Sequence, residues 1–348
     1  ILPWGPSGLK FDLRHAIANR CGKGKTYRLL GSLMSLIFAP FMFLEKMFIG
    51  LQGHWSWAIP ASLRSILLVR QHHPELIYST GGAYSAHLAA LCAHRLTGCT
   101  WIAEIHDPMV TPGKTANTRN AKFMQKLESS ICKYSTLCWW FTDTARDSAQ
   151  TRNPQSTAKK LFILPGSKKI APPILYTKSK KCIFAYFGSL SDTRSLLPLL
   201  KAINELLIQS KPDMPNMKLI EIHCYSEKLD KQSRDFIISN PQLQKYVFCF
   251  GRIESDSLSK KSRQELIFEK MCQSDYLLLL HGTIPECSEY IPYKLYEYFW
   301  TNRPVFALTH KNTLLNQLII KRGGLVAEEA EITEIKLALI KAITLWAV

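Results

Sequence analysis

The sequence predicts an α/β protein made of two doubly wound, Rossmann-like domains. Short apolar runs alternate with helical stretches from residue 61 to the end of the chain, a pattern typical of parallel β-α-β units. A stretch rich in Pro and Lys at 167–181 interrupts this alternation, which then restarts. With 348 residues the chain is long enough for two cores. We therefore expect domains at 1–166 and 182–348, a linker at 167–181, and strand ends that face a shared cleft.

The first domain begins with a region of weak periodicity. Residues 1–28 predict loop and a short helix. After the apolar segment described below, helical and strand patterns alternate. We expect helices at 61–72, 83–96 and 119–133, and strands at 75–79, 100–105 and 135–141.

An apolar segment at 29–51 stands apart from this alternation. Its first sixteen residues, 29–44, carry no charge. A membrane-spanning helix needs about 20 apolar residues, and Pro40 interrupts this run. The segment fits an interfacial helix that touches lipid, a buried helix or a true span. Basic residues on one side and nearby aromatic side chains favour the first, so we expect peripheral membrane contact.

The second domain repeats the alternation with more apolar strands. Its patterns predict strands at 183–187, 219–224, 247–250, 276–280 and 305–308, and helices at 194–207, 228–239, 262–272, 314–321 and 332–345.

The formal net charge of +17 favours anionic partners. Phosphorylated metabolites, acidic lipid head groups and nucleic acid all qualify. The sequence contains no helix-turn-helix, finger or aromatic RNA-binding motif, so we expect no nucleic-acid partner.

The ten cysteines include no Cys-x-x-Cys pair, and several lie in apolar runs. Buried thiols in a reducing compartment are the simplest interpretation, and no signal peptide is recognisable. We therefore expect a cytoplasmic protein, peripheral on the cytoplasmic membrane face. The ten histidines are scattered, and no metal site is expected.

The stretch 289–297 is the strongest candidate for a site. It follows the apolar run 276–280 and carries Glu289 and Glu297. Pro292 suits the first position of a helix, which would place Glu289 in the loop before it and Glu297 about a turn and a half inside. Ligands bind at the carboxyl ends of strands in open α/β sheets, and a helix N-terminus favours anions. These positions predict a site for a phosphorylated ligand whose hydroxyl groups bond to the carboxylates.

In this context the two carboxylates and the residues around them resemble a known family. A Glu, seven residues and a second Glu, followed by Arg-Pro-Val at 303–305, are similar to the retaining, nucleotide-sugar-dependent glycosyltransferases of the GT-B fold, family 4 in particular. The stretches 74–82, 102–108, 185–194 and 247–253 also resemble parts of that family. The resemblance covers roughly residues 50–345 and implies a nucleoside diphosphate sugar as donor substrate, with no cofactor and no metal.

The resemblance also implies roles for the donor-side residues. Glu297 would bind the ribose, and Glu289 would bind a hydroxyl of the transferred sugar. Arg194 would stabilise the leaving diphosphate, helped by Lys294. The remaining donor-binding residues would be Gly188 at the phosphate turn, Arg252 and Ile253 near the base, and Leu295.

On the acceptor side, the resemblance points to His106 near the donor sugar and Asp107 at the acceptor hydroxyl. Two interpretations stay open here, because a His-Asp pair at a strand end also caps turns. A Lys294–Glu297 helix pair could likewise be a solvated ion pair.

Two departures from the family concern the ends of the chain. The family's first strand and Gly-rich turn are not visible before Trp4, so the first domain is expected to lack its first strand. The chain also stops before a helix that usually follows 345–348. The expected function is transfer of a sugar, with retention, to a lipid-linked or polysaccharide acceptor. The alternative is a non-catalytic GT-B-like binding subunit or an inactive fragment.

Overall fold

A computed structural model describes residues 2–22, 24–51, 55–81, 84–170, 174–209, 216–254 and 261–348. The chain divides into two compact units, 1–164 and 165–348. Part of the predicted linker belongs to the second unit by its contacts. The indole Nε1 of Trp300 donates to the carbonyl of Ser167 at 3.0 Å, and Ser179 Oγ donates to Asp275 at 2.8 Å.

The first unit places three helices before a four-stranded parallel sheet. The elements are α1 (Pro6–Cys21), α2 (Lys25–Phe48), α3 (Trp55–His72), β1 (Leu76–Thr80), α4 (Tyr84–Thr97), β2 (Thr100–Ile105), α5 (Arg119–Tyr134), β3 (Leu137–Trp140), α6 (Asp143–Arg152) and β4 (Lys159–Phe162). The strands lie in the order β1-β2-β3-β4.

The core of this unit follows from alternation along β2. Trp101, Ala103 and Ile105 point to the buried face, as the period of two requires. They pack with Trp140 from β3 and Ile131 from α5. Residues 6–21 are helical, so the short helix predicted within 1–28 is present but longer than expected, and less of this region is loop. None of the residues described before α3 forms a strand.

The second unit is a six-stranded parallel sheet with helices between its strands. The elements are β5 (Cys182–Phe187), α7 (Leu197–Ile208), β6 (Ile220–Tyr225), α8 (Lys231–Ser239), β7 (Val247–Cys249), α9 (Arg263–Cys272), β8 (Tyr276–Leu280), α10 (Lys294–Phe299), β9 (Val305–Thr309), α11 (Thr313–Lys321), β10 (Leu325–Glu328) and α12 (Ile332–Ala347). The strand order is β10-β9-β8-β5-β6-β7. All residues of β8 and β9 are buried, as expected for strands covered on both faces.

The helix after the candidate stretch begins later than predicted. The N–H of Leu295 donates to the carbonyl of Pro292 at 2.9 Å, and α10 begins at Lys294. Pro292 therefore lies in the turn before the helix rather than at its first position. Glu297 consequently lies in the first turn of α10, closer to the N-terminus than expected.

Candidate active site

The strand order of the second unit defines where a ligand would bind. The order reverses at β5 and β8, because β6 and β7 continue on one side and β9 and β10 on the other. In open parallel sheets, ligands bind beyond the carboxyl ends of the strands at such a reversal, where the loops separate. These loops begin with Gly188 after β5 and with His281 after β8.

A lysine ammonium lies against the end of β5. Gly188 has a φ of +139°, and a Cβ added there would lie 2.3 Å from Nζ of Lys294. The backbone angle favours glycine, and a larger residue would also displace the ammonium from this position. The same Nζ lies 5.3 Å from the ring centroid of Tyr186. The first turn of α10 therefore brings a cation directly onto the strand end.

The charge on this lysine is destabilised by its surroundings. Burial lowers the pKa of Lys294 from 10.5 to about 8. The carboxylate of Glu297 opposes this shift, while the positive charge of Arg194 adds to it. An anionic ligand would favour the protonated form and offset part of the desolvation.

A cavity of about 350 Å³ opens beside Lys294. Its volume falls in the range of about 300–1,000 Å³ that small-ligand pockets occupy. The lining comes from the ends of β5 and β6, the loop after β7, and the helices α9 and α10: Phe187, Gly188, Ser189, Tyr225, Arg252, Ile253, Arg263, Ile267, Met271, Lys294 and Glu297. Five predicted donor-binding residues thus surround one cavity: Gly188, Arg252, Ile253, Lys294 and Glu297.

One wall of the cavity combines aromatic rings with arginines. The rings of Phe187 and Tyr225 stack at 4.7 Å with an interplanar angle of 6°. Arg252 pairs with Glu227 at 3.1 Å, and Arg263 Nε donates to the carbonyl of Ile253 at 2.8 Å. This second bond fixes the loop after β7 to the start of α9. Sequence reasoning missed Tyr225 and Arg263, whose role depends on contacts between separate elements.

Glu297 is a half-buried carboxylate on the cavity wall. Burial raises its pKa, and Lys294 partly opposes that shift. It also lines a neighbouring cavity of about 230 Å³, together with Lys168, Lys169 and Tyr293. A carboxylate in this position has acceptor oxygens to offer to hydroxyl groups of a bound ligand.

The loop that carries Arg194 is held against the end of β8. Ser191 and Arg194 bond to each other through both backbone groups, at 3.1 and 2.9 Å, which closes a tight turn. A Cβ added at Gly282, where φ is +93°, would lie 2.3 Å from the carbonyl oxygen of Thr193. The N–H of Gly282 donates to Glu329 Oε2 at 2.9 Å. The turn before Arg194 therefore rests on a glycine that a buried carboxylate holds in place.

Two buried ionisable groups near this loop were not foreseen. Burial raises the pKa of Glu329 to about 7, although its bond from Gly282 opposes the shift. Burial also lowers the pKa of His281 to about 4, and the charge of Arg194 adds to this effect. The only sequence signal for His281 and Gly282 was their place directly after the most apolar strand.

Three predicted residues lie away from the cavity wall. Leu295 is buried in the core beneath α10, with Leu277 and Val305. Glu289 is 5% exposed and follows a short turn at 285–288. Neither these two nor the exposed Arg194 is among the described residues that line the cavity.

In the first unit, His106 belongs to a polar cluster at the ends of β1 and β2. Its Nε2 lies within hydrogen-bonding distance of Glu104 and 3.0 Å from Thr80 Oγ1, and its ring stacks on Phe141 at 4.6 Å. Burial raises the pKa of Glu104, but hydrogen bonds from Tyr78, Thr80 and His106 outweigh this and leave the pKa lowered. Glu104 was not predicted as part of this cluster.

The other predicted positions of this unit are less constrained. Asp107 is exposed. Gly82, which ends one of the matching stretches, lies outside the described residues. No group of three or more potential metal-ligating side chains occurs within the described ranges.

Comparison with solved structures identifies the fold. The chain is similar to HepE from Anabaena in complex with UDP-glucose, with a TM-score of 0.53 and 14% identity over 82% of this chain and 71% of that one. It is also similar to the lipopolysaccharide outer core galactosyltransferase WaaB, with a TM-score of 0.55 and 14% identity over 82% and 70%. A UDP-forming α,α-trehalose-phosphate synthase from Burkholderia xenovorans gives a TM-score of 0.60 and 12% identity over 84% and 71%.

These similar structures are GT-B glycosyltransferases. The chain therefore has the GT-B fold with two Rossmann-like units, as its sequence predicted. No protein-family model and no curated protein sequence matched the chain.

Proposed function

We propose that this chain is a glycosyltransferase that uses a nucleoside diphosphate sugar bound by its second unit. The observation that carries the proposal is the position of the Lys294 ammonium. It lies against Gly188 at the reversal of strand order and lines a cavity of about 350 Å³. The GT-B fold supports the proposal, since a similar structure, that of HepE, was obtained in complex with UDP-glucose.

In this proposal, different walls of the cavity contact different parts of the donor. The diphosphate lies against Lys294, within reach of the positive field of Arg194. Glu297 accepts hydrogen bonds from the ribose hydroxyls. The base lies toward Tyr225, Arg252 and Ile253. The identity of the base and of the sugar is left to experiment.

Departure of the diphosphate is the step that the cations assist. When the bond to the sugar breaks, negative charge grows on the leaving oxygen, and preorganised positive groups stabilise that charge. We assign this task to Lys294 and Arg194, so that the reaction does not depend on a divalent cation. Glu289 is proposed to bind a hydroxyl of the transferred sugar, and the transfer proceeds with retention.

The acceptor is proposed to meet the first unit. His106 is proposed to lie near the donor sugar and Asp107 to orient the acceptor hydroxyl. A lipid-linked or polysaccharide acceptor suits the exposed apolar helix α2, and the protein would then work on the cytoplasmic face of a membrane. The second candidate function is a non-catalytic GT-B-like subunit that binds a partner or a membrane.

Calorimetric binding to a panel of nucleoside diphosphates and their sugars tests the proposal. At least one donor should bind, and Lys294→Gln should weaken that binding about 10- to 100-fold, the usual cost of a lost charge-assisted hydrogen bond. Lys201→Gln is the matched control, because Lys201 is exposed on α7 and the charge change is the same. Its affinity should stay within about twofold of the unmodified protein.

The outcomes separate the two functions. Binding with release of the nucleoside diphosphate in the presence of an acceptor supports the transferase. Binding without sugar transfer or hydrolysis favours the non-catalytic subunit. If no donor on the panel binds, the transferase proposal is wrong.

A further inference from the structure

Helix α2 exposes an exceptional amount of apolar surface. It is 24 residues long, and none of its residues is buried. Nine of its large hydrophobic side chains are between 45% and 73% exposed: Leu29, Leu33, Leu36, Ile37, Phe41, Phe43, Leu44, Met47 and Phe48. Soluble monomers rarely expose contiguous apolar patches larger than a few hundred Å², so a partner for this surface is expected.

Only one stripe of α2 is partly covered. The less exposed positions include Tyr27, Leu30, Met34, Phe38 and Met42, which recur every three or four residues and so share one face. The helix that packs along α2 is α1. Exposed apolar side chains therefore occupy most of the remaining circumference of α2, while α1 packs along the helix.

The α1–α2 pair is fastened to the body of the first unit. Glu45 near the end of α2 accepts hydrogen bonds from Ser7 N at 3.0 Å, from Ser7 Oγ at 2.6 Å and from the indole of Trp55. Arg119 Nη1 donates to the carbonyls of Met47 and Phe48 at 3.0 and 3.2 Å. These bonds hold the hairpin in one orientation relative to α3 and α5.

Length alone would permit α2 to cross a membrane. At 1.5 Å per residue its 24 residues extend about 36 Å, against about 30 Å of hydrocarbon. The packing of α1 argues against crossing, because α1 would have to enter the hydrocarbon with Lys10, Asp12 and Arg14. Lying in the plane of the membrane avoids this cost, since α1 then faces water.

The charge of the hairpin identifies the kind of membrane. Residues 6–48 contain seven Lys and Arg but only two acidic residues, one of which is the bonded Glu45. Three of the basic residues, Arg20, Lys25 and Arg28, lie at the adjoining ends of the two helices. Basic residues beside an apolar helix face are the combination that binds anionic lipid surfaces.

We propose that the α1–α2 hairpin is an in-plane anchor in an anionic phospholipid bilayer, with the exposed face of α2 in the acyl region and α1 on the water side. This anchor is independent of donor binding, because all the residues that form it belong to the first unit. The anchor would hold the protein at the membrane surface where the proposed lipid-linked acceptor lies.

Flotation with vesicles of phosphatidylcholine and phosphatidylglycerol at 3:1 tests binding of the full chain. We expect the protein to float with these vesicles, to float less with pure phosphatidylcholine, and to lose part of its binding in 0.5 M NaCl. The double variant Leu36→Ser/Phe43→Ser should reduce partitioning by at least about tenfold. The matched control Leu175→Ser/Ile208→Ser removes two side chains of the second unit that are at least as exposed, and it should bind as the unmodified protein does.

A fluorescent amino acid sensitive to its environment distinguishes in-plane insertion from crossing. At Ile37 it should shift to the blue when vesicles are added, and at His15 on α1 it should not. A blue shift at both positions would overturn the in-plane arrangement. The membrane proposal would be overturned if the protein bound none of the vesicles, or if it formed a dimer that the α2 double variant abolished. Circular dichroism of the same samples shows whether the variants remain folded, and nucleotide binding measured beside it keeps this result separate from the donor site.

Discussion

At the scale of single residues, Lys294 is the residue whose interpretation differs most between the sequence and the structure. The sequence suggested it as a helper to Arg194, because its position in a helix after a strand says nothing about what it touches. In the structure its ammonium lies where a Cβ at position 188 would be, and it faces Tyr186. Its burial depends on a contact between residues more than a hundred positions apart, which no local pattern records.

The lowered pKa of Lys294 predicts how donor binding depends on pH. In the free protein its ammonium is lost as the pH rises through about 8, whereas a bound diphosphate requires the charged form. The dissociation constant for a nucleoside diphosphate should therefore be constant from pH 7 to about 8 and then rise up to about tenfold per pH unit. Titration calorimetry from pH 7 to 9.5 measures this.

Lys294→Arg is the informative variant for that pH profile. Arginine stays charged throughout this range, so affinity in the variant should lose its dependence on pH even if it is weaker overall. A profile of the unmodified protein that stays flat up to pH 9.5 would contradict the role given to this lysine.

At the scale of elements, the strongly patterned strands were predictable and the short polar ones were not. β5 and β8 are apolar runs that can be recognised in the sequence, and the ends of these strands locate the candidate site. β4 and β10 were missed, because Lys159–Phe162 is half basic and Leu325–Glu328 is only four residues long. Such strands form because a neighbouring strand offers hydrogen bonds, which is a tertiary effect.

The bounds of α10 show how a local rule fails. Proline is favoured at the first position of a helix, but here the carbonyl of Pro292 accepts the bond from Leu295 and the helix begins two residues later. The shift brings Lys294 and Glu297 into the first turn, where both reach the cavity. Glu289, which lies in the loop before α10, is instead buried. It is not among the described residues that line the cavity.

At the scale of the whole molecule, the sequence predicted two Rossmann-like units because the alternation of strands and helices stops and restarts. It left three possibilities for the segment 29–51, since composition cannot show what a helix packs against. The structure excludes the ordinary buried helix, because no residue of α2 is buried. It also shows α1 packed along α2, a fact that the weak periodicity of residues 1–28 concealed.

The division into units predicts that the second unit works alone. Residues 165–348 contain the six-stranded sheet, its core and every described residue that lines the candidate cavity. Expressed separately, this fragment should unfold in a single cooperative transition and bind the nucleoside diphosphate within about tenfold of the full chain. Urea unfolding followed by circular dichroism, with calorimetry for binding, checks both. A fragment that folds but binds no nucleotide would show that the first unit contributes essential contacts.

The side chain of Glu329, which accepts a hydrogen bond from the N–H of Gly282, makes the stability of the folded protein depend on pH. Glu329 has a pKa of about 7 when folded and 4.5 when exposed, so between these limits the folded chain keeps a proton that the unfolded chain has released. Unfolding then gives up a proton, and the free energy of unfolding falls as the pH rises from 4.5 to 7, by at most about 3 kcal/mol. Glu329→Gln keeps an oxygen for the Gly282 N–H but cannot titrate, so urea unfolding of this variant at pH 5, 6 and 7 should lack that contribution. If the variant and the unmodified protein show the same dependence on pH, Glu329 is not the group that holds the proton.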